Sequence, residues 1–178
     1  MKKLYFIRHG LSEANKAGIW SGQSETPLSA EGREQARRAG EKAKELDINL
    51  IVSSPLGRAR ETAEIVAKEI GYTASRILFS DLLKERSWGD LEGKEHSSVG
   101  PNMELDDIPN IETSEQLIRR AAQALGYLEG LPAEHILIVS HGTIGRAVRH
   151  HIFEDMPFIN KTGVPGVTLP NGEVIQWI

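Results

Sequence analysis

Two histidines, each followed directly by a glycine, stand after short apolar runs. His9 lies between Arg8 and a glycine, and His141 is followed by Gly142. A neutral imidazole is a nucleophile that phosphorus accepts, and a guanidinium offers a planar fork to phosphate oxygens. For either histidine alone, a hydrogen-bonded structural role would be the more common one. As a matched pair beside an arginine, the two histidines predict a phosphate site.

Arg58 adds a second cation to this set. It follows another apolar run and falls in the predicted first turn of a helix, where positive charge opposes the helix dipole. Helix energetics give no reason for a cation at this place, whereas a bound anion would. We therefore expect Arg58 to bind the same phosphate, and we interpret Arg60 as a surface charge.

The chain alternates short apolar runs with longer amphipathic stretches, which is typical of an α/β fold with a mostly parallel sheet. Four apolar runs predict buried strands: Leu4–Ile7, Leu50–Val52, Ile77–Phe79 and Ile136–Val139. The amphipathic stretches predict helices on both faces of a central sheet, in a three-layer sandwich. Ligands bind at the carboxyl ends of strands in open α/β sheets, and both histidines fall at such ends.

Local sequence signals predict where four helices begin. Ser29 is predicted to cap the first helix, and Ser54 the second, with Pro55 at its first helical position. Thr113 and Gln116 stand at the spacing of a capping box and predict the start of the third helix. The fourth helix is predicted to follow the second histidine–glycine pair.

Two further segments show no helical period. Near the C-terminus, Val167–Leu169 and Val174–Trp177 flank Pro170-Asn171-Gly172, and the Asn-Gly pair predicts a β-hairpin. Residues 81–111 are rich in Gly, Pro and charge, and long irregular segments in compact domains usually form lids or binding loops. We predict one domain, residues 1–178, with a short lid insert over residues 81–111.

Composition narrows the class of protein. The chain has 178 residues, a formal charge of −4 and no cysteine, which excludes thiol nucleophiles, thiolate zinc sites and iron–sulfur clusters. No Lys/Arg cluster is dense enough to follow a nucleic-acid backbone, and no apolar segment reaches the roughly 18 residues of a membrane span. We expect a cytoplasmic protein without nucleic-acid or membrane partners. No cofactor and no metal site are predicted.

The sequence from Arg8 to Asn15, RHGLSEAN, resembles the R-H-G-x-S-x-x-N signature of the histidine phosphatase superfamily, in its phosphoglycerate mutase-like branch. Similar blocks follow in the order of that family: Trp20-Ser21-Gly22, Pro27-Leu28-Ser29, residues 53–63, residues 83–93 and residues 140–146. Three letters alone are a weak match. Separated blocks in the family's order over most of the chain are a specific one.

The resemblance implies a phosphohistidine mechanism in which His9 matches the nucleophile and Glu85 the general acid/base. The phosphate ligands of the family match Arg8, Asn15, Arg58 and His141. Gly142 is also expected to contact phosphate, because it begins a helix whose N-terminal amides favour an anion. Without the resemblance, Glu85 would more readily be interpreted as a surface acid paired with Lys84 or Arg86.

The segment after Glu85 bears on the choice between hydrolysis and isomerisation. The resemblance implies that mutases of this family carry a long basic insert here, with a tyrosine where this chain has Trp88. Between Gly93 and Glu112 the only Lys or Arg is Lys94, among several carboxylates. A short acidic lid repels a second phosphate and admits water, which favours a phosphatase. The retained Arg86 could still bind a substrate carboxylate.

Three functions therefore stay open. The leading hypothesis is a metal-independent phosphatase that hydrolyses a small-molecule phosphate monoester through a phosphohistidine intermediate. The alternatives are a phosphoglycerate mutase, and a module that binds a phosphorylated ligand or takes part in a phosphohistidine relay. Candidate substrate contacts are Trp20, Ser21, Gly22, Arg86 and Trp88. The sequence predicts neither the identity of the substrate nor the oligomeric state.

Overall fold

The computed structural model describes residues 2–100, 103–153 and 169–178. Within these residues, five strands form one sheet in the order β3-β2-β4-β1-β5. The strands are β1 (Lys3–Arg8), β2 (Leu50–Ser53), β3 (Leu78–Phe79), β4 (His135–Ser140) and β5 (Val174–Gln176). All neighbours pair in parallel except β5, which runs antiparallel to β1. The mostly parallel sheet is confirmed.

Five α-helices accompany the sheet in the described residues: α1 (Glu13–Ala17), α2 (Ala30–Ala43), α3 (Gly57–Glu69), α4 (Ser114–Gly130) and α5 (Gly142–Ile152). Successive side chains of a strand point to opposite faces of the sheet. Leu4 and Phe6 of β1 pack in one cluster with α4 and α5, whereas Tyr5 and Ile7 pack in a second cluster with α2 and α3. The predicted three layers are therefore confirmed.

Two predicted helix starts are confirmed by their caps. The side chain of Ser29 accepts a hydrogen bond from the backbone N–H of Gly32 at the start of α2. At the start of α4, Thr113 and Gln116 form the full capping box, each side chain accepting the backbone N–H of the other. Both signals are local in sequence, so the pattern alone identifies them.

The predicted start of α3 is wrong. The helix begins at Gly57 rather than Pro55, and no side chain of its own segment caps it. The hydroxyl of Ser54 instead accepts the N–H of Leu56 within the preceding turn. The carboxylate of Glu25, from a distant loop, accepts the N–H of Gly57 at 3.0 Å and takes the place of the predicted cap.

The third predicted strand is only partly correct. Ile77 is buried, but the strand itself comprises Leu78 and Phe79, and both are exposed. β3 is the edge strand of the sheet and pairs only with β2. Its outer side is therefore not covered by the helical layers that bury the central strands. Of the predicted hairpin, Val174–Gln176 pairs with β1, while residues 167 and 168 lie outside the described residues.

The described part of residues 81–111 contains four short 3-10 turns, at Asp81–Leu83, Gly89–Leu91, His96–Ser98 and Leu105–Asp107. The segment has a small apolar cluster of its own, in which Trp88, Leu91 and Leu105 pack with Trp20. The indole rings of Trp20 and Trp88 lie 4.6 Å apart between centroids. This cluster attaches the irregular segment to the loop that follows α1.

Two helical glycines should respond to alanine in opposite ways. A Cβ at Gly32 of α2 would lie 2.1 Å from the carbonyl oxygen of Leu11, which belongs to the backbone and cannot move cheaply. We expect Gly32→Ala to lower the free energy of unfolding by about 2 kcal/mol. Gly126→Ala, on the exposed side of α4 with no atom within 4 Å, should raise it by about 0.5–1 kcal/mol. Urea unfolding measures both, and a loss of similar size at Gly126 would contradict the steric explanation.

Candidate active site

The two histidines meet at the carboxyl edge of the sheet. Arg8 and Ser140 pair at the ends of the neighbouring strands β1 and β4, so the next residue of each strand lies beside the other. The ring centroids of His9 and His141 are 5.1 Å apart, and both side chains are buried. The predicted pair is brought together in this way.

The hydrogen bonds of His9 define which ring nitrogen holds the proton. Its Nδ1 lies 2.7 Å from the carbonyl oxygen of Gly10, which can only accept. Nδ1 therefore carries the proton. The lone pair of His9 Nε2 then points toward Arg58 and accepts its Nε–H at 3.3 Å. An unprotonated Nε2 is the form in which a histidine acts as a nucleophile.

Both imidazoles are kept neutral by their surroundings. Burial, followed by the charges of Arg58 and Arg8, holds the pKa of His9 well below its usual value of 6.5. Burial and the charge of Arg58 also hold the pKa of His141 well below that value, with smaller contributions from His9, Arg8 and Arg120. Burial disfavours a charged ring, and nearby cations disfavour it further.

His141 is held by Ser54, the residue whose predicted capping role proved wrong. The Ser54 hydroxyl lies 2.8 Å from His141 Nε2 and already accepts the Leu56 N–H, so its own hydrogen is available to Nε2. That assignment places the ring proton on Nδ1, a buried atom with no hydrogen-bond partner in the described residues. Arg8 Nε is likewise buried and unpartnered there. Buried donors in proteins are rarely left unpaired, so both are suited to an anionic ligand.

Arg58 is the second residue of α3 and is almost fully buried. Besides its contact with His9, its guanidinium donates to the carbonyl oxygens of Gly22 at 2.6 Å and Ser24 at 2.9 Å. Burial lowers the pKa of Arg58, and the nearby carboxylates Glu85, Glu25 and Glu92 oppose that effect. The residues that follow Trp20 thus fix the orientation of this cation.

Arg8 lies over the start of α5. Its guanidinium donates to the carbonyl oxygen of Leu169 at 2.9 Å. A Cβ added at Gly142 would meet the Arg8 guanidinium carbon at 3.3 Å, so the glycine leaves room for that group. Burial lowers the pKa of Arg8 and the charge of Glu85 partly offsets this.

Glu85 reaches the same helix start from the 81–111 segment. Its carboxylate accepts the backbone N–H groups of Thr143 and Ile144, each at 3.1 Å, and that of Arg86 at 2.8 Å. The N-cap residue of α5, His141, forms no side-chain cap of its own, so Glu85 supplies it. The charge of this carboxylate opposes the effect of burial on the pKa of both arginines of the site.

The predicted substrate contacts are mostly engaged within the protein. Trp20 and Trp88 are buried against each other. Arg86 is fully buried; its guanidinium donates to the Glu112 carbonyl oxygen at 2.7 Å and to the Asp106 carboxylate, and lies 4.9 Å from the Trp88 ring. A role of these three residues in substrate binding stays a prediction, while their observed contacts hold the 81–111 segment together.

The remaining candidates are backbone or capping residues. The side-chain oxygen of Asn15 accepts the Ser12 N–H in the capping box of α1. The carbonyl oxygen of Ser21 accepts the Ser24 N–H at 2.8 Å, and that of Gly22 accepts from Arg58. Contacts of these residues with a phosphate or a substrate stay predictions.

Two residues of the site were missed by the sequence argument, although both fall in the family-like block over residues 53–63. Ser54 orients His141, as described above. Thr62 accepts the N–H of Gly10 at 3.1 Å and donates to the Arg58 carbonyl oxygen at 2.7 Å, so it joins the β1 end to α3. The sequence signal that could have identified these residues was the presence of polar side chains on the inner face of the predicted α3.

In the described part of the chain, no group of three or more His, Cys, Asp or Glu residues is arranged to hold a metal ion. None of the helices described is both long and apolar enough to cross a membrane.

The protein is thus an α/β protein in which two histidines meet beside arginines at the sheet edge, and comparison with known proteins identifies its family. The sequence profile of the histidine phosphatase superfamily (branch 1) matches residues 4–165, and the chain belongs to that superfamily. The predicted family and the predicted class of enzyme, a phosphatase, are thereby confirmed.

Relatives carry two kinds of name. The Bacillus subtilis protein named "Uncharacterized phosphatase PhoE" is 33% identical over 177 residues, covering 99% of this chain and 90% of its own. The Escherichia coli K12 protein named "Probable phosphoglycerate mutase GpmB" is 37% identical over 154 residues, covering 80% and 70%. The structure of mycobacterial glucosyl-3-phosphoglycerate phosphatase with VO3 is similar with a TM-score of 0.81 and 25% identity, covering 99% and 92% of the two chains.

The neutral buried histidines should make stability depend on pH. Below about pH 6.5 the unfolded chain binds protons on both rings and the folded chain does not, so the unfolding free energy falls with falling pH. Between about pH 7.5 and about pH 5.5, each ring should account for a loss of at most about 1.4 kcal/mol. In His9→Gln, urea unfolding should show a correspondingly smaller fall. The same fall in variant and wild type would show that His9 is protonated in the folded protein.

Proposed function

We propose that the protein hydrolyses small-molecule phosphate monoesters without a metal ion, through a phosphohistidine formed on His9. The observation that carries this proposal is the state of His9: a buried, neutral ring with Nδ1 anchored to a carbonyl oxygen and Nε2 unprotonated beside Arg58. Phosphoryl transfer depends mainly on positioning and on neutralising oxygens, and guanidinium groups can do both.

In the first step, His9 Nε2 attacks the phosphorus and the bond to the alcohol oxygen breaks. Arg8, Arg58 and the Nδ1–H of His141 bind the non-reacting oxygens. The departing alkoxide takes a proton from Glu85 in its protonated form, leaving a phosphohistidine and the free alcohol. The electrostatic effect of Glu85 on both arginines supports a place for its carboxyl group beside the bound phosphate.

In the second step, a water molecule attacks the phosphorus of the phosphohistidine. Glu85, now a carboxylate, accepts the proton of that water, and the nitrogen–phosphorus bond breaks. Inorganic phosphate leaves and His9 returns to its neutral form. The same residue is therefore acid in one step and base in the next.

The charges around the site support a preference for substrates that carry no second phosphate. Besides Glu85, two carboxylates, Glu25 and Glu92, lie near enough to Arg58 to affect its pKa. They offset part of the positive charge of Arg58, so a second phosphate at this side of the site would be repelled. Such a site suits a monoester whose alcohol carries no second phosphate group.

The chain is further proposed to be one domain, residues 1–178, in which residues 81–111 act as the lid. The packing of Trp88 and Leu91 against Trp20 supports this division. The expected location is the cytoplasm, and the expected partners are small phosphate esters rather than nucleic acid or membrane.

Replacing the nucleophile should abolish hydrolysis. Purified protein in EDTA is expected to release phosphate from a panel of monoesters, and His9→Ala should lower kcat by roughly a thousandfold or more. Arg60→Gln is the matched control: its guanidinium lies over the Phe79 ring, and activity should stay at the wild-type value. Full activity in His9→Ala would rule out the covalent mechanism, and inactivity of the wild type toward the whole panel would rule out the metal-independent phosphatase.

The mutase is the second candidate, favoured by the identity with GpmB. With 2- or 3-phosphoglycerate and a bisphosphate primer, we expect release of inorganic phosphate and no interconversion, because the carboxylates around Arg58 disfavour a substrate with two phosphates. Phosphorus NMR separates the two outcomes in one sample. Interconversion stimulated by the primer would establish the mutase instead.

A further inference from the structure

An ion pair between Glu112 and Arg120 of α4 lies beside the site and has no part in the steps above. The contact is bidentate: Arg120 Nε donates to Glu112 Oε1 at 2.7 Å and Nη2 to Oε2 at 2.6 Å. The side chains are only 16% and 14% exposed. The next arginine, Arg119, makes an ordinary surface pair with Glu115, and those side chains are 70% and 83% exposed. Paired, largely buried charges have a fixed geometry that surface pairs lack.

The remaining donors of Arg120 reach the backbone that carries Glu85. Nη1 donates to the carbonyl oxygens of Leu82 at 3.0 Å and Lys84 at 2.7 Å, and Nη2 lies 3.4 Å from that of Glu85 itself. One guanidinium thus binds three carbonyl groups within four residues of chain.

Glu112 holds the chain on the other side of Glu85. Its carboxylate accepts the N–H of Ser87 at 3.3 Å, and its backbone N–H donates to the Ser87 carbonyl oxygen at 3.0 Å. The ion pair therefore joins the residues before Glu85 to the residues after it.

The backbone of Glu85 depends on such contacts because it belongs to no strand or α-helix. It lies between two 3-10 turns, Asp81–Leu83 and Gly89–Leu91. The Glu85 carboxylate is anchored at the start of α5. Apart from Arg120, its carbonyl oxygen accepts the side-chain amide of Gln23 at 3.1 Å, and Gln23 is exposed. Without Arg120, three carbonyl groups and the Glu112 carboxylate would lose a largely buried partner.

We propose that Arg120, fixed by Glu112, is the positioning residue for Glu85 and sets how efficiently the leaving group receives its proton. The proposal rests on the role of Glu85 as general acid given above. Among the described residues, the contacts of Arg120 are with other groups of the protein. Small displacements of an acid from its proton acceptor weaken proton transfer strongly, so a loosened Glu85 backbone should affect that step first.

The test compares esters that need a proton on the leaving group with esters that do not. An alkyl phosphate expels a strongly basic alkoxide, whereas a nitrophenyl phosphate expels a stable phenolate. The measured parameter is kcat/KM. It reflects only the steps up to and including the first bond cleavage and is therefore independent of phosphohistidine hydrolysis. For Arg120→Gln we expect a loss of about tenfold or more on alkyl esters and less than about twofold on nitrophenyl esters. Arg119→Gln is the matched control, with both values as in the wild type.

Glu85→Gln separates failure of this proposal from failure of the proposed function. It should show the same selective loss, and adding Arg120→Gln to it should lower kcat/KM on alkyl esters no further. If Glu85→Gln shows no selectivity, the assignment of the general acid is wrong. If Glu85→Gln is selective but Arg120→Gln lowers both ester classes equally or neither, the positioning role is wrong.

An equal loss on both classes is the result expected if Arg120 acted instead through the phosphate ligand His141, whose pKa its charge also lowers. Arg120→Lys keeps the charge but not the planar fork, so its selective loss should be smaller than that of Arg120→Gln. If the glutamine variant does not fold, Arg120→Lys takes its place with the same two ester classes. Absence of selectivity in a folded Arg120→Lys would then overturn the proposal.

Discussion

The contact between the Glu85 carboxylate and the first N–H groups of α5 joins two parts of the chain that have little else in common. α5 follows the strand end that carries His141, and so belongs to the regular layered structure. Glu85 belongs to residues 81–111, whose described part contains no strand or α-helix. Because a carboxylate at a helix N-terminus is favoured by both hydrogen bonds and the helix dipole, this contact fixes an irregular loop to the sheet edge.

Around this contact, carboxylates balance part of the positive charge of the two arginines. Arg58 is buried and Arg8 is partly buried, and burial lowers the pKa of each. Glu85 offsets that effect at both arginines, and Glu25 and Glu92 do so at Arg58. Burial, and then the charges of these arginines, keep the two imidazoles neutral, which is the state that a nucleophile requires.

Much of this arrangement could be predicted from short-range patterns. Apolar runs indicated β1, β2 and β4, and the histidine after β1 and after β4 followed from the strand ends. The caps Ser29 and Thr113 were visible because each acts three residues along the chain. Where a cap comes from far away, as Glu25 at α3 and Glu85 at α5, the local pattern gave a wrong cap or none.

The same limit explains the residues that pattern reasoning missed or placed differently. Arg120 meets residues more than 30 positions earlier in the chain, and on α4 it is indistinguishable by sequence from its exposed neighbour Arg119. Ile77–Phe79 has the apolar composition of a buried strand, but only its position in the sheet order determines that β3 is an exposed edge. The fold class and the meeting of His9 and His141 at the sheet edge were thus predictable, whereas the supports of Glu85 required tertiary structure.

The placement of the three tryptophans has a spectroscopic consequence. Trp177 stacks on Phe6 in the core beneath the sheet, with ring centroids 4.3 Å apart. Trp20 and Trp88 contact each other, one in the loop after α1 and the other in the 81–111 segment. Intrinsic fluorescence therefore has two separate origins in this molecule. Emission from the Trp20–Trp88 pair reports whether the segment is seated, while emission from Trp177 reports whether the layers are intact, without any added dye.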